Sequence, residues 1–156
     1  MSLTRLVPSV NPDVPIDRLW LVFFGEADGA PWWSRFLAPG FRHVTAAAWF
    51  DDQQRWVLID PTRRGTVVLI YRQDQFGGRF QQLMDSSSVV LRVVAKRSRT
   101  ATPFGWWCTG SVKALLGVRC RALSPAALYR HLLRNGAETV KMPAPARSIH
   151  GRPVQT

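Results

Sequence analysis

The chain has 156 residues, of which 46% are hydrophobic, 20% charged and 11% aromatic. That length fits one domain with a sizeable core, and the apolar content excludes an intrinsically disordered chain. The net charge is +11, carried by 21 cationic residues of which Lys96, Lys113 and Lys141 are the lysines and all others Arg, so an anionic partner is one implication of composition and a GC-rich genome that inflates Arg is the other.

Residues 1–17 hold Pro8, Pro12 and Pro15 and read as an extended arm without the continuous apolar segment of a secretory signal. Asp17–Gly25 is the first apolar run and reads as a buried strand; its core, Leu19–Phe24, is far shorter than the about 20 residues of a spanning helix. Residues 26–40 read as a loop with at most one helical turn, anchored by Trp32, Trp33 and Phe36. Phe41–Phe50 is a second strand, Asp51–Gln54 a polar turn, and Arg55–Asp60 the returning strand, ended by Pro61. Thr66–Arg72 is a third β-rich run. Gly77-Gly78 reads as punctuation before a short helix over Arg79–Asp85, and Ser88–Ala95 as another strand.

Lys96–Gly105 reads as a basic loop. Trp106–Leu116 has Val112, Leu115 and Leu116 at helical spacing and Gly117 as its stop. Val118–Leu123 reads as a short strand. Ser124-Pro125 is an N-cap followed by a first-turn proline, opening a helix that ends at Asn135-Gly136 with Leu128, Leu132 and Leu133 on its apolar face. Residues 137–156 read as an extended tail. Strands first and helices last give an α+β domain over residues 18–136, with an antiparallel sheet of about four to five strands packed against two to three helices.

With the turn centred between Asp52 and Gln53, Trp56 faces Trp49 and Asp60 faces Thr45. His43 shares the face of Thr45, and Asp60 lies diagonal to it, within reach of a side-chain hydrogen bond. A carboxylate that orients an imidazole is half of a nucleophilic constellation. Cys108, at the start of a predicted helix, is the candidate nucleophile, because the positive end of the helix lowers a thiol's pKa and free first-turn N–H groups can stabilise an oxyanion. That helix is expected to pack on the sheet face that carries His43. The bland alternatives are a buried structural Cys108, a core or surface His43 and an Asp60 that merely initiates a turn. Cys120, between Arg119 and Arg121, is expected to point into the core. His131 reads as structural or exposed, and Trp32, Trp33, Trp106 and Trp107 as cleft-lining or packing residues. Two Cys and three His far apart give no zinc spacing, and no cofactor is expected.

The segment FRHVTAAAWFDDQQRWVLIDPT resembles the His–Asp half of transglutaminase-like cysteine enzymes, and GWWCTGSVKALLGVRCRALSP resembles the Cys-bearing helix of the same papain-like group. In the usual order the Cys helix comes first; here it comes last, which resembles the circularly permuted arrangement of the permuted NlpC/P60 branch. The usual Gly-x-Cys entry is replaced by Trp106-Trp107-Cys108. The resemblance implies a cysteine hydrolase or acyltransferase in which Cys108 attacks a carbonyl, His43 moves the proton and Asp60 orients His43, with peptidoglycan stem peptides or protein amides as substrates. PGFRHV, the Cys helix and SPAALYRHLLRNGAE together also resemble small proteins of tailed bacteriophages. That resemblance implies a virion or assembly component built on the permuted papain-like domain, located in the particle or host cytoplasm and bound to its neighbours through residues 1–17 and 137–156; this is the first reading, with an active cysteine peptidase or amidase as the alternative. From charge alone, a basic nucleic-acid-associated protein is the third reading. Its one cluster is Lys96-Arg97-Ser98-Arg99.

Overall fold

The computed structural model describes residues 18–26, 32–62, 65–95 and 107–140. Six strands form one antiparallel sheet: β1 (Arg18–Gly25), β2 (His43–Phe50), β3 (Arg55–Thr62), β4 (Gly65–Arg72), β5 (Ser87–Ala95) and β6 (Glu138–Val140), in the spatial order β4-β3-β2-β1-β5-β6. Three helices, α1 (Gln73–Ser86), α2 (Cys108–Leu116) and α3 (Pro125–Arg134), complete an α+β architecture, and a one-turn 3-10 helix spans Trp32–Phe36. No helix among the described residues is long and apolar enough to cross a membrane.

The central strands are apolar on both faces because both faces are covered. Trp20, Val22, Phe24, Val44, Ala46 and Ala48 pack with Val112 and Leu116 of α2 and Leu128 and Leu132 of α3. Phe23, Ala47, Leu58 and Val90 point the other way and pack with Phe76 and Leu83 of α1. This is the physical origin of near-continuous apolar runs such as Leu19–Phe24, which a sheet with one wet face would interrupt with polar residues. The alanines of β2 have a further role. Ala46 and Ala48 are fully buried on the α2 side, and such small side chains let the helix backbone approach the strand closely.

Local signals set the helix ends. The Ser124 hydroxyl accepts the Ala127 N–H at 3.3 Å, with Pro125 in the first turn. Gly117 adopts the left-handed conformation (φ 66°) that terminates α2, where its N–H meets the carbonyls of the last turn.

Several expectations are corrected. The sheet has six strands, since Glu138–Val140 pairs with Val90–Arg92. Glu138–Val140, expected in the extended tail, thus forms the edge strand of the sheet. Val118–Leu123 forms no strand, and β3 continues through Pro61 to Thr62, because β3 pairs with β4 across its whole length. Gly77-Gly78 lies inside a 14-residue helix rather than ahead of a short one. Phe76, Phe80, Leu83 and Met84 recur at helical spacing against the sheet, and their burial outweighs the roughly 1 kcal/mol that each helical glycine costs. The arm at residues 1–17, the basic loop and residues 141–156 of the tail lie outside the described residues, as do His150 and Trp106.

Candidate active site

The β2–β3 ladder matches the expected register, running from Phe50↔Arg55 through Trp49↔Trp56 to Ala46↔Ile59. There it stops. Beyond that point β2 stays paired with β1 as far as Gly25↔His43, and β3 stays paired with β4 as far as Thr62↔Gly65. The sheet thus forks between β2 and β3, and the site occupies the fork. Gly25 sits at its rim because a Cβ there would come within 2.7 Å of the Ser86 carbonyl oxygen.

Side chains bridge the opening. His43 Nε2 donates to Asp60 Oδ1 at 2.7 Å, and the same oxygen lies 3.3 Å from Thr45 Oγ1. Strand alternation puts His43 and Thr45 on the side of Ala47, and Asp60 on the side of Leu58, which is the face covered by α1. Arg79 of α1 adds its positive field to Asp60 from that side.

Cys108 is the first residue of α2, after Trp107 as N-cap. Its helix packs on the opposite face, against Val44, Ala46 and Ala48. The expectation that α2 would cover the His43 face is thus incorrect: the imidazole and the thiol meet through the fork, from opposite sides of the sheet. The Cys108 thiol lies within hydrogen-bonding reach of both the His43 side chain and the Val44 backbone N–H. The Val44 donor is available because β3 no longer pairs with β2 there. The buried Thr109 hydroxyl (2% exposed) also faces the sulfur, at a geometry short of a hydrogen bond.

The electrostatics follow from these contacts. Burial pushes the His43 imidazolium pKa down, but hydrogen bonds from His43 to Asp60 and Cys108 and the charge of both partners raise it to about 9. Burial pushes the Cys108 thiol up, and the His43 hydrogen bond and charge, the Val44 N–H and Thr109 bring it below the ordinary thiol value. For Asp60, the His43 hydrogen bond lowers the carboxyl pKa, outweighing partial burial, with further lowering by Thr45 and Arg79. The arrangement favours a thiolate facing an imidazolium that a carboxylate holds in place. The intrahelical bonds of α2 begin at Gly110 and Ser111, which both donate to the Trp107 carbonyl, so the helix itself offers no acceptor to the Cys108 and Thr109 amides.

His43, Asp60 and Cys108 are therefore brought together, although they lie on two strands and a helix. Cys120 is half-buried against the core beside α2 and α3, as expected. His131 accepts its contacts within α3, from Asn135. Trp32 and Trp107 are more than half exposed, with Trp32 edge-on to Phe36 of the 3-10 helix. Residues not expected at the site are Val44, through its backbone, and Arg79. The Val44 amide has no signal in the sequence, because only the break in strand pairing exposes it. Among the described residues no group of three or more His, Cys, Asp and Glu side chains is arranged to hold a metal ion.

Comparison with protein-family models, with curated proteins and with solved structures finds no match to the chain.

Proposed function

We propose that the protein is a cysteine-nucleophile acyl-transfer enzyme, a hydrolase or acyltransferase with a circularly permuted papain-like arrangement. The observation that carries this reading is the convergence of Asp60, His43 and Cys108, with a 2.7 Å bond from the imidazole to Asp60 and the Cys108 thiol within hydrogen-bonding reach of the same ring. Three unrelated side chains with structural roles would not need to shift one another towards a charged thiol and a charged imidazole.

The chemistry follows from the residues. The Cys108 thiolate attacks the carbonyl carbon, and the electron pair of the C=O bond moves to oxygen. First-turn amides of α2 are the donors that this reading assigns to that oxyanion. Collapse of the intermediate expels the amine, which takes its proton from the His43 imidazolium, and leaves an acyl-thioester on Cys108. His43, now neutral, accepts a proton from water or from an acceptor nucleophile, whose attack releases the acyl group and regenerates the thiolate. Asp60 keeps the imidazole in one tautomer and one orientation throughout. Peptide-type amides, including peptidoglycan stem peptides, are the substrate class that the papain-like resemblance favours.

The test is the pH dependence of iodoacetamide alkylation, read at Cys108 and Cys120 by peptide mass. The Cys108 midpoint should lie below that of Cys120, and cleavage of a stem-peptide or casein panel should disappear in Cys108→Ala. Coincident alkylation midpoints would refute the reading.

A further inference from the structure

The fork that admits Cys108 needs something to hold it. Where the β2–β3 ladder stops after Ala46↔Ile59, the next facing residues are Thr45 and Asp60, and they meet through side chains instead of backbone. Thr45 is 5% exposed and, with Thr109, one of two buried polar residues among those described. It interrupts an otherwise apolar strand segment, Val44 to Ala48. A buried hydroxyl is retained at low cost only where it is hydrogen-bonded. The Thr45 partner is Asp60 Oδ1, the same atom that receives His43 Nε2.

We propose that Thr45 is a positioning residue of the site: from the base of the fork its hydroxyl fixes the Asp60 carboxylate in the orientation that meets His43. This rests on the acyl-transfer reading above. A carboxylate turns about its last side-chain torsion in a broad, roughly two-fold well. Two donors converging on one oxygen, from neighbouring positions of the same strand face, remove that freedom. They also direct Oδ1 along β2 towards His43. The remaining groups around the pair act from other elements: Arg79 on α1 acts on the carboxylate, and Cys108 on α2 faces the imidazole. None of them bonds Oδ1 in place of Thr45.

Thr45→Val keeps the volume and the β-branch and deletes the donor. The Cys108 alkylation midpoint should rise towards that of Cys120, and the His43 ring titration, followed by NMR, should fall below about 9. Alkylation near neutral pH should slow by about tenfold, the effect expected of one lost bond to a charged group. Thr45→Ser restores the hydroxyl and should return both midpoints, even if the lost methyl lowers thermal stability. Thr45→Ala provides the same deletion without crowding, should the valine variant not fold. Lower thermal stability with both midpoints unmoved would overturn the positioning role and leave the acyl-transfer reading intact. A parent protein whose Cys108 titrates with Cys120 would instead remove the acyl-transfer reading first, and the positioning role with it.

Discussion

The two ends of the β2–β3 hairpin are built from the same two strands and solve opposite problems. At the turn end, Trp49 faces Trp56 across an intact ladder, the Trp49 indole N–H donates to Asp51 at 2.6 Å, and Trp56 stacks on Phe76 of α1 with 4.4 Å between centroids. At the other end the ladder opens and polar side chains replace backbone bonds. The closed end is held by aromatic contact and hydrogen-bonded backbone. The open end gives up backbone pairing to expose one amide, Val44, and to admit one thiol. Stability and chemistry are thus segregated along a single hairpin whose two strands are 8 residues each.

Substitutions at the two ends should therefore affect different measurements. The largest effect expected is from Cys108→Ala, which should abolish acyl-enzyme formation in mass spectra of protein incubated with peptide amides while leaving the thermal midpoint nearly unchanged. Asp60→Asn should follow, with turnover reduced by about 100-fold or more through loss of the oriented imidazole. Its pH profile should also narrow from the alkaline side. The parent's activity should fall as His43 deprotonates near 9, and that limb should move lower once the carboxylate charge is gone.

At the closed end, Trp56→Ala removes the stack on Phe76 and the partner of Trp49. It should cost about 3 kcal/mol in urea unfolding, with the Cys108 alkylation midpoint unmoved. A shift of that midpoint would show that the two ends are coupled and would break the comparison. The smallest effect should come from α1, which covers the closed end. An added Cβ at Gly77 or Gly78 meets nothing within 4 Å, so Gly77→Ala should stabilise by about 0.5–1 kcal/mol without altering reactivity.

The hairpin also marks how far the sequence could be read. Its register followed from a four-residue polar turn and from Trp49 and Trp56 falling opposite each other. The same register brought Asp60 to Thr45 and, diagonally, to His43. Ser124-Pro125 and Gly117 marked helix ends through chemistry confined to a few residues. Other features depended on tertiary contacts. Gly77-Gly78 stays helical because Phe76 and Leu83 are buried beneath it. The pairing of the Glu138–Val140 segment is decided by the free edge of β5. The side of the sheet taken by α2 is not legible in the sequence: strand alternation alone requires His43 and its partner to share a face, and alternation carries no information about where a ladder opens.

The facing thiol and imidazole also affect how folding responds to acid and base. A raised imidazolium pKa makes the folded chain hold a proton that the unfolded chain releases between about 6.5 and 9. Alone, His43 would give stability that is full below about 6.5 and lost as pH climbs through 9. The depressed Cys108 thiol acts in the opposite sense: its contribution is full above the ordinary thiol range and lost as pH falls through its lowered value. Where the native pair is thiolate and imidazolium while the unfolded chain carries thiol and neutral imidazole, both states bind the same number of protons. Folding there only relocates a proton from sulfur to nitrogen. The reactive pair can stay ionised across that interval without making the native state sensitive to pH, a neutrality that would be lost if either residue were replaced singly.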